Sequence, residues 1–375
     1  MNPETKNIII VGGGFKGMIA ALKLISVGYN VTLVEQSKSL GGALNSPTWD
    51  GIYIDLGCQL FFNDTNEFTE EILKILENNY HPVPVNYASY FNKYRSEGIA
   101  IPNFESLIDD EKIKIQQSLL KKPHQNKDVK SLEDIYINRF GENATQWINE
   151  CLLKSHCIVS GDLDPLANNL LPFERIRIFP VEQAIELKKD NWYDERIAVP
   201  RKLNTIEKVK KKKYDFFEYY PSKGGLHFFC KKFHQLLIQK GVEIKLNTQI
   251  NSIQVVDETT LISSKTKFKA HYIYWASPVY QLPKYLNLDI NLEPYLHSVP
   301  LILYYFIINS SQVSNITYLH NYDKKDLCFR FSIQSNYAEN NIPKGKALIC
   351  CEVPGKINSS LWENPNDFSQ KIWNE

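Results

Sequence analysis

The residues best placed to do chemistry lie close to the N-terminus. Ile8, Ile9, Ile10 and Val11 run straight into Gly12, Gly13 and Gly14, and Gly17 follows Phe15 and Lys16. Three glycines in a G-x-G-x-x-G spacing make separable demands. Gly12 permits a tight turn, Gly14 lets the backbone approach a pyrophosphate, and Gly17 lets the following helix pack against the preceding strand. That helix is signalled by Met18, Ile19, Ala20, Ala21, Leu22, Leu24 and Ile25. Its N-terminus offers free N–H groups and partial positive charge to phosphates. A second short strand, residues 30–34, ends at Glu35. A carboxylate there accepts hydrogen bonds from a ribose 2′-OH and repels a 2′-phosphate, so the site favours FAD or NAD over NADP. Gly12, Gly14, Phe15, Lys16, Gly17, Glu35 and Gln36 are the candidate cofactor-binding residues of this stretch.

Strand, glycine turn, helix, strand and acid make the βαβ unit of an α/β, Rossmann-like dinucleotide-binding fold. Past Glu35 come Gly41-Gly42 and then Asp55-Leu56-Gly57-Cys58-Gln59. With these, the sequence resembles the FAD-dependent amine oxidase and protoporphyrinogen oxidase superfamily, whose beginning is shared by phytoene desaturases and UDP-galactopyranose mutases. The resemblance implies that Gly41, Gly42 and the adjoining Ala43 lie against the FAD diphosphate and ribityl chain. It also implies that Gly57, Cys58 and Gln59 approach the isoalloxazine ring. Ala43 departs from the arginine that many amine oxidases carry there.

The resemblance continues along the chain. Ser131–Gly141, a capped helix ending at glycine, is similar to a helix of protoporphyrinogen oxidases. Ser160-Gly161-Asp162-Leu163-Asp164-Pro165 follows where that family has a Gly-Asp-Pro turn. Tyr220-Pro221-Ser222-Lys223-Gly224-Gly225 looks like the superfamily's Tyr-Pro-x-Gly-Gly helix start, followed by strands over 242–246 and 250–253. Backbone near Ile250 is then implied to meet the adenine. The strand over 272–275 runs into Ala276-Ser277-Pro278, which returns to the cofactor and adds Ala276 and Ser277 to the implied site. The expected organisation is a discontinuous FAD-binding domain, 1–82 and 216–283, with an α+β substrate or cap domain, 83–215 and 284–375. Relatives continue to a C-terminal Gly-Asp motif that closes over the flavin, and no Gly-Asp occurs after residue 283. The expectation is therefore a fragment, or a site completed in another way.

Local signals fill in the rest. Asp64-Thr65-Asn66-Glu67 reads as a capping box for a helix with Phe68, Ile72, Ile75 and Leu76 on one face, and Pro82 and Pro84 as a chain break. Residues 255–269 read as a hairpin, and 301–308, 328–333 and 347–352 as strands of the substrate domain.

With 375 residues, 43% hydrophobic, 23% charged and net charge +1, the chain fits a two-domain globular protein without bias towards nucleic acid. The basic run Lys208–Lys213 reads as a solvated loop. No stretch is long and apolar enough for an integral membrane segment, and the strand begins too early for a signal peptide. Seven cysteines without a C-x-x-C pair point to reduced thiols, a cytoplasmic location and no metal site.

The function expected first is a flavoprotein oxidoreductase taking a hydride from a small-molecule substrate onto FAD. The alternative is a flavin-dependent sugar-nucleotide isomerase resembling UDP-galactopyranose mutase, with Arg175, Arg177, Arg196 and Arg201 as candidate clamps for a diphosphate. A third possibility is a non-catalytic homologue. His156, His227 and His297 stand isolated in sequence, and no catalytic residue is assigned.

Overall fold

The structure, a computed structural model, describes residues 6–62, 67–84, 86–122, 128–200, 217–256, 259–263, 266–338 and 342–375. Arg201, the run Lys208–Lys213 and the first three residues of the expected capping box lie outside the described residues. The chain divides into two compact units. One takes in the chain to Pro82 with Tyr219–Ser298 and Ala338–Ile342; the other takes in Val83–Glu218, Val299–Tyr337 and Pro343–Glu375.

In the first unit four described strands pair in parallel, in the order Tyr272–Trp275, β1 (Asn7–Val11), β2 (Asn30–Val34) and Glu243–Lys245. The register sets Val11 level with both Val34 and Trp275, so three strands finish along one edge. Ile8 to Val11 are all buried, as a strand covered on both faces requires. Helix α1 (Phe15–Ser26) buries Gly17, Met18 and Ala21. Behind the sheet, Ile9, Val11 and Val34 pack with Ile250, Ile253 and Ala270. The last two belong to a three-stranded antiparallel sheet, Ser252–Val256, Thr259–Ser263 and Lys267–Ala270, one strand more than the expected hairpin. Pro82 and Pro84 both lie in the strand Tyr80–Pro84, and the division between the two units falls within it, after Pro82. Proline's fixed φ suits an extended strand wherever its missing N–H is not needed by a neighbour.

The second unit is built on six described strands in the order Leu301–Asn309, Lys346–Pro354, Arg330–Ile333, Tyr318–Asn321, Tyr87–Phe91 and Tyr94–Glu97. All neighbours are antiparallel except Tyr318–Asn321 beside Tyr87–Phe91. A helical core of Phe104, Leu132, Tyr136, Phe140, Ile148 and Phe173 belongs to the same unit. The helix Leu132–Phe140 starts as its sequence demands. Ser131 Oγ accepts the Asp134 N–H at 3.3 Å, and the Asp134 carboxylate accepts the Ser131 N–H at 2.9 Å. Gly141, at φ 87°, ends it.

One buried histidine in this unit has a consequence for acid stability. His320 shares a register row with Arg330 and Glu352. Its Nδ1 lies 3.0 Å from the Ala100 carbonyl oxygen, so the neutral ring donates there. Burial first, and then the Arg330 guanidinium, hold its pKa down to about 3, so the ring is uncharged in the folded protein. An unfolded histidine titrates near 6.5. Because the folded value is the lower one, the stability is complete above about pH 6.5 and is lost as pH falls towards 3. Lowering the pH from 7 to 4.5 is expected to cost the wild type about 2 kcal/mol more than the His320→Gln variant, measured by urea unfolding. Equal losses in the two proteins would show that His320 does not carry this acid lability.

Candidate cofactor-binding site

The glycines after β1 occupy three different environments. Gly12 has φ +105°, and a Cβ on it would lie 2.7 Å from Ser277 Oγ. Its N–H donates to the Val34 carbonyl at 2.9 Å, which closes the turn onto β2. A Cβ on Gly17 would lie 1.9 Å from the Gly12 carbonyl oxygen, so α1 approaches the turn only because residue 17 has no side chain. Gly14 differs. It caps α1 with ordinary dihedrals (φ −67°, ψ 179°) and no side-chain cap, and a Cβ on it would meet nothing within 4 Å. Room is therefore left in front of Gly14, at a helix N-terminus whose first N–H groups have no intrahelical acceptor.

Gly13 was not among the expected site residues, yet it is equally constrained. Its N–H donates to Glu35 Oε2 at 2.6 Å, and a Cβ would lie 2.5 Å from Leu40 Cδ2. The other Glu35 oxygen accepts from Ser37 N (2.8 Å) and Ser37 Oγ (2.6 Å). Glu35 thus buckles the turn to the end of β2 while remaining half-buried. Lys16 and Gln36 are exposed, and the Phe15 ring meets Phe229 edge-on at 5.9 Å.

The second glycine pair joins the first. Gly41 donates its N–H to the Gly13 carbonyl at 2.8 Å, and Gly14 and Gly41 form an isolated parallel bridge. Gly41 has φ +118°, with Cys230 Sγ 2.5 Å from where its Cβ would stand. Gly42 comes so near the turn that its Cβ would lie 3.2 Å from Gly14 Cα. The carbonyl of the exposed Ala43 is 3.4 Å from Gln59 Nε2, which also donates to the Leu56 carbonyl at 2.9 Å. Gly57 is buried and donates to the Asp55 carbonyl at 2.9 Å; Cys58 beside it is half-buried and in no disulfide. Ala276 donates to the Val11 carbonyl at 2.9 Å, which places Ala276 and Ser277 against Gly12. Ile250 buries its side chain in the core, while Thr248 just before it donates to the Glu35 carbonyl at 2.9 Å.

Within the second unit Arg175 and Arg196 both lie near Arg139, whose pKa they help to lower after burial. His227 Nδ1 pairs with Asn45 Oδ1 at 2.7 Å and its ring stacks on Tyr53; His156 pairs with Ser155 Oγ. Arg175 donates to the Asp194 carbonyl (2.7 Å), Arg196 to the Trp192 carbonyl (2.9 Å) and Arg177 towards the Glu97 carbonyl (3.4 Å). Among the described residues no group of three metal-ligating side chains forms a metal site, and no helix is long and apolar enough to cross a membrane. None of the seven cysteines is in a disulfide.

A parallel sheet whose strand ends carry this turn, with room at Gly14 and a carboxylate at the end of β2, defines a dinucleotide-binding fold. The chain belongs to the family of flavin containing amine oxidoreductases, which matches it over residues 17–303. FAD is accordingly the cofactor, and the open face of Gly14 at the α1 N-terminus leaves the room and the free N–H groups that a pyrophosphate would need. Among curated relatives, the 4,4′-diaponeurosporene oxygenase of Staphylococcus aureus (strain bovine RF122 / ET3-1) is 23% identical over 312 residues, 75% of this chain and 58% of that protein. The chain thus spans little more than half the length of that relative. Among solved structures, reduced UDP-galactopyranose mutase superposes with TM-score 0.70 at 16% identity, covering 94% of this chain and 75% of the other. A putative protoporphyrinogen oxidase from Exiguobacterium sp. 255-15 gives 0.67 at 17% identity, covering 99% and 84%. At these identities the two structures establish the fold.

Proposed function

We propose that the chain forms the FAD-binding and substrate-binding parts of a flavin-dependent oxidoreductase acting on a small molecule in the cytoplasm. The observation that carries the reading is the open backbone at Gly14, facing the α1 N-terminus in a chain of the amine oxidoreductase family. When bound, FAD supplies the hydride acceptor. The protein's part is to hold and orient. Gly12, Gly14 and the start of α1 receive the pyrophosphate, Glu35 the ribose, and Gly57–Gln59 the isoalloxazine edge. The regions 83–215 and 284–375 bind the substrate and keep water from the reacting carbon. The oxygenase relative makes an apolar polyene the first substrate class to try, followed by amines and porphyrinogens.

A sugar-nucleotide isomerase is the second reading, favoured by the similarity to the mutase fold. It has less support, because Arg175 and Arg196 already hold backbone carbonyls within their own unit. The test is anaerobic addition of each substrate class to the FAD-loaded protein. Bleaching of the flavin band by a polyene, amine or porphyrinogen supports the oxidoreductase. Turnover of a UDP-sugar only after dithionite reduction supports the isomerase, and no response to any class counts against both.

A further inference from the structure

The helix Gly225–Gln239 begins without a local cap. Its N-cap Gly224 is left-handed (φ +69°) and has no side chain, and Gly225 is left-handed as well (φ +57°). Two distant side chains take over the capping. Asp55 Oδ1 accepts the Leu226 N–H at 3.3 Å, and Ser46 Oγ accepts the His227 N–H at 3.2 Å. Ser46 and Tyr220 both donate their hydroxyls to Asp55, which is only 2% exposed. A Cβ on Gly225 would stand 3.1 Å from Asp55 Oδ1, so the glycine leaves room for the carboxylate. One turn along the same helix, Cys230 packs against Gly41, the residue whose N–H grips Gly13. Asp55 also lies two residues before Gly57 and accepts the Gly57 N–H on its carbonyl. One carboxylate therefore joins three segments, 41–46, 55–59 and 220–230.

We propose that Asp55 is the positioning residue of the FAD cradle, holding this helix, and through Cys230 the Gly41 turn, in the geometry that receives the cofactor. The inference rests on the flavin reading above. Burial raises the Asp55 pKa, against the lowering by Ser46, Tyr220 and the Leu226 N–H. A raised carboxyl contributes stability below its unfolded pKa that is lost as pH rises through the folded one, so the ionised form is a burden on folding at neutral pH. The titratable neighbours are the Tyr220 phenol and the Cys230 thiol, pushed up to about 12, with Cys58 beside Tyr220. His227 follows through Ser46 and Tyr53.

The test compares wild type, Asp55→Asn and Ser46→Ala by FAD titration of apoprotein from pH 5 to 8, together with apoprotein melting temperature. Asp55→Asn is expected to weaken FAD binding at least about tenfold at pH 7 without lowering the apoprotein melting temperature. Wild-type affinity should decline as Asp55 takes up a proton, with Asp55→Asn flat across that decline. Ser46→Ala, which keeps the carboxylate, should weaken binding about fivefold and tests the same link if Asp55→Asn fails to fold. Wild-type FAD affinity in Asp55→Asn, or a drop in melting temperature with unchanged affinity, overturns this inference alone. Wild-type protein that takes up no FAD overturns the flavin reading and this inference with it.

Discussion

Alanine at Gly17 is expected to abolish FAD uptake and destabilise the apoprotein, whereas alanine at Gly14 is expected to abolish uptake and leave the apoprotein as stable as wild type. The contrast follows from where each methyl would go. At Gly17 it would stand 1.9 Å from the Gly12 carbonyl oxygen. That oxygen belongs to a turn fixed by the Gly12 N–H to Val34 bond and by Gly41 on Gly13, so it has no side-chain freedom with which to yield. The remaining relief is to move α1 away from β1, which costs about 3 kcal/mol or more and carries the helix N-terminus off the pyrophosphate. At Gly14 the methyl meets nothing within 4 Å and φ is −67°, a value any residue adopts. The fold does not feel it, so only a ligand in that space can. Loss of about hundredfold or more in FAD affinity for both variants, with loss of denaturant midpoint for Gly17→Ala only, is the expected pattern. Unchanged affinity in Gly14→Ala would place the pyrophosphate elsewhere.

The second large effect lies in the six-stranded sheet. Arg330 and Glu352 stand opposite each other on neighbouring strands. Arg330 Nε donates to Glu352 Oε1 at 2.6 Å and Nη2 donates to Oε2, a fork-to-carboxylate pair whose glutamate side chain is 2% exposed. Replacing Arg330 with methionine keeps the bulk but leaves the carboxylate buried without its guanidinium, at a cost of about 3–5 kcal/mol. Adding Glu352→Leu to Arg330→Met removes the stranded charge and is expected to restore most of that loss. Urea unfolding of the single and double variants measures both. A single variant within about 1 kcal/mol of wild type would mean that solvent or another group carries the charge. Arg330→Met should also let the His320 pKa rise, since the guanidinium is one of the groups holding it down.

These two regions differ in how far the amino-acid sequence announces them. Around Gly12–Gly17 the message is local: an apolar run, glycines at fixed offsets, a helical period and an acid at the next strand end. The observed β1, α1 and β2 begin and end within a residue or two of those signals. The helix after Ser131 is legible for the same reason, since its cap and its terminating glycine lie within eleven residues. What escapes a reading along the chain depends on partners far away in it. Asp55 and Ser46 cap a helix 171 and 181 residues on, past two glycines that locally promise no cap at all. His320 is isolated in sequence, and its surroundings exist only once strand register sets it beside Arg330. Gly13 reads as a spacer until Leu40 and Glu35 close on it. Pro82 and Pro84 read as a break because proline usually interrupts a ladder; the units divide after Pro82, within an extended strand that accommodates its φ. Arg175, Arg177 and Arg196 pass for clamp residues by type alone, and in the fold each donates to a backbone carbonyl of its own unit.

The measurement that bears most directly on the cradle at Gly12, Gly14 and Glu35 is the visible spectrum of the purified protein, before and after incubation with FAD, with the released cofactor identified by mass. The expected result is a flavin spectrum and the mass of FAD, taken up in one equivalent per chain and lost in Gly14→Ala. A colourless protein that takes up no added FAD would contradict the reading.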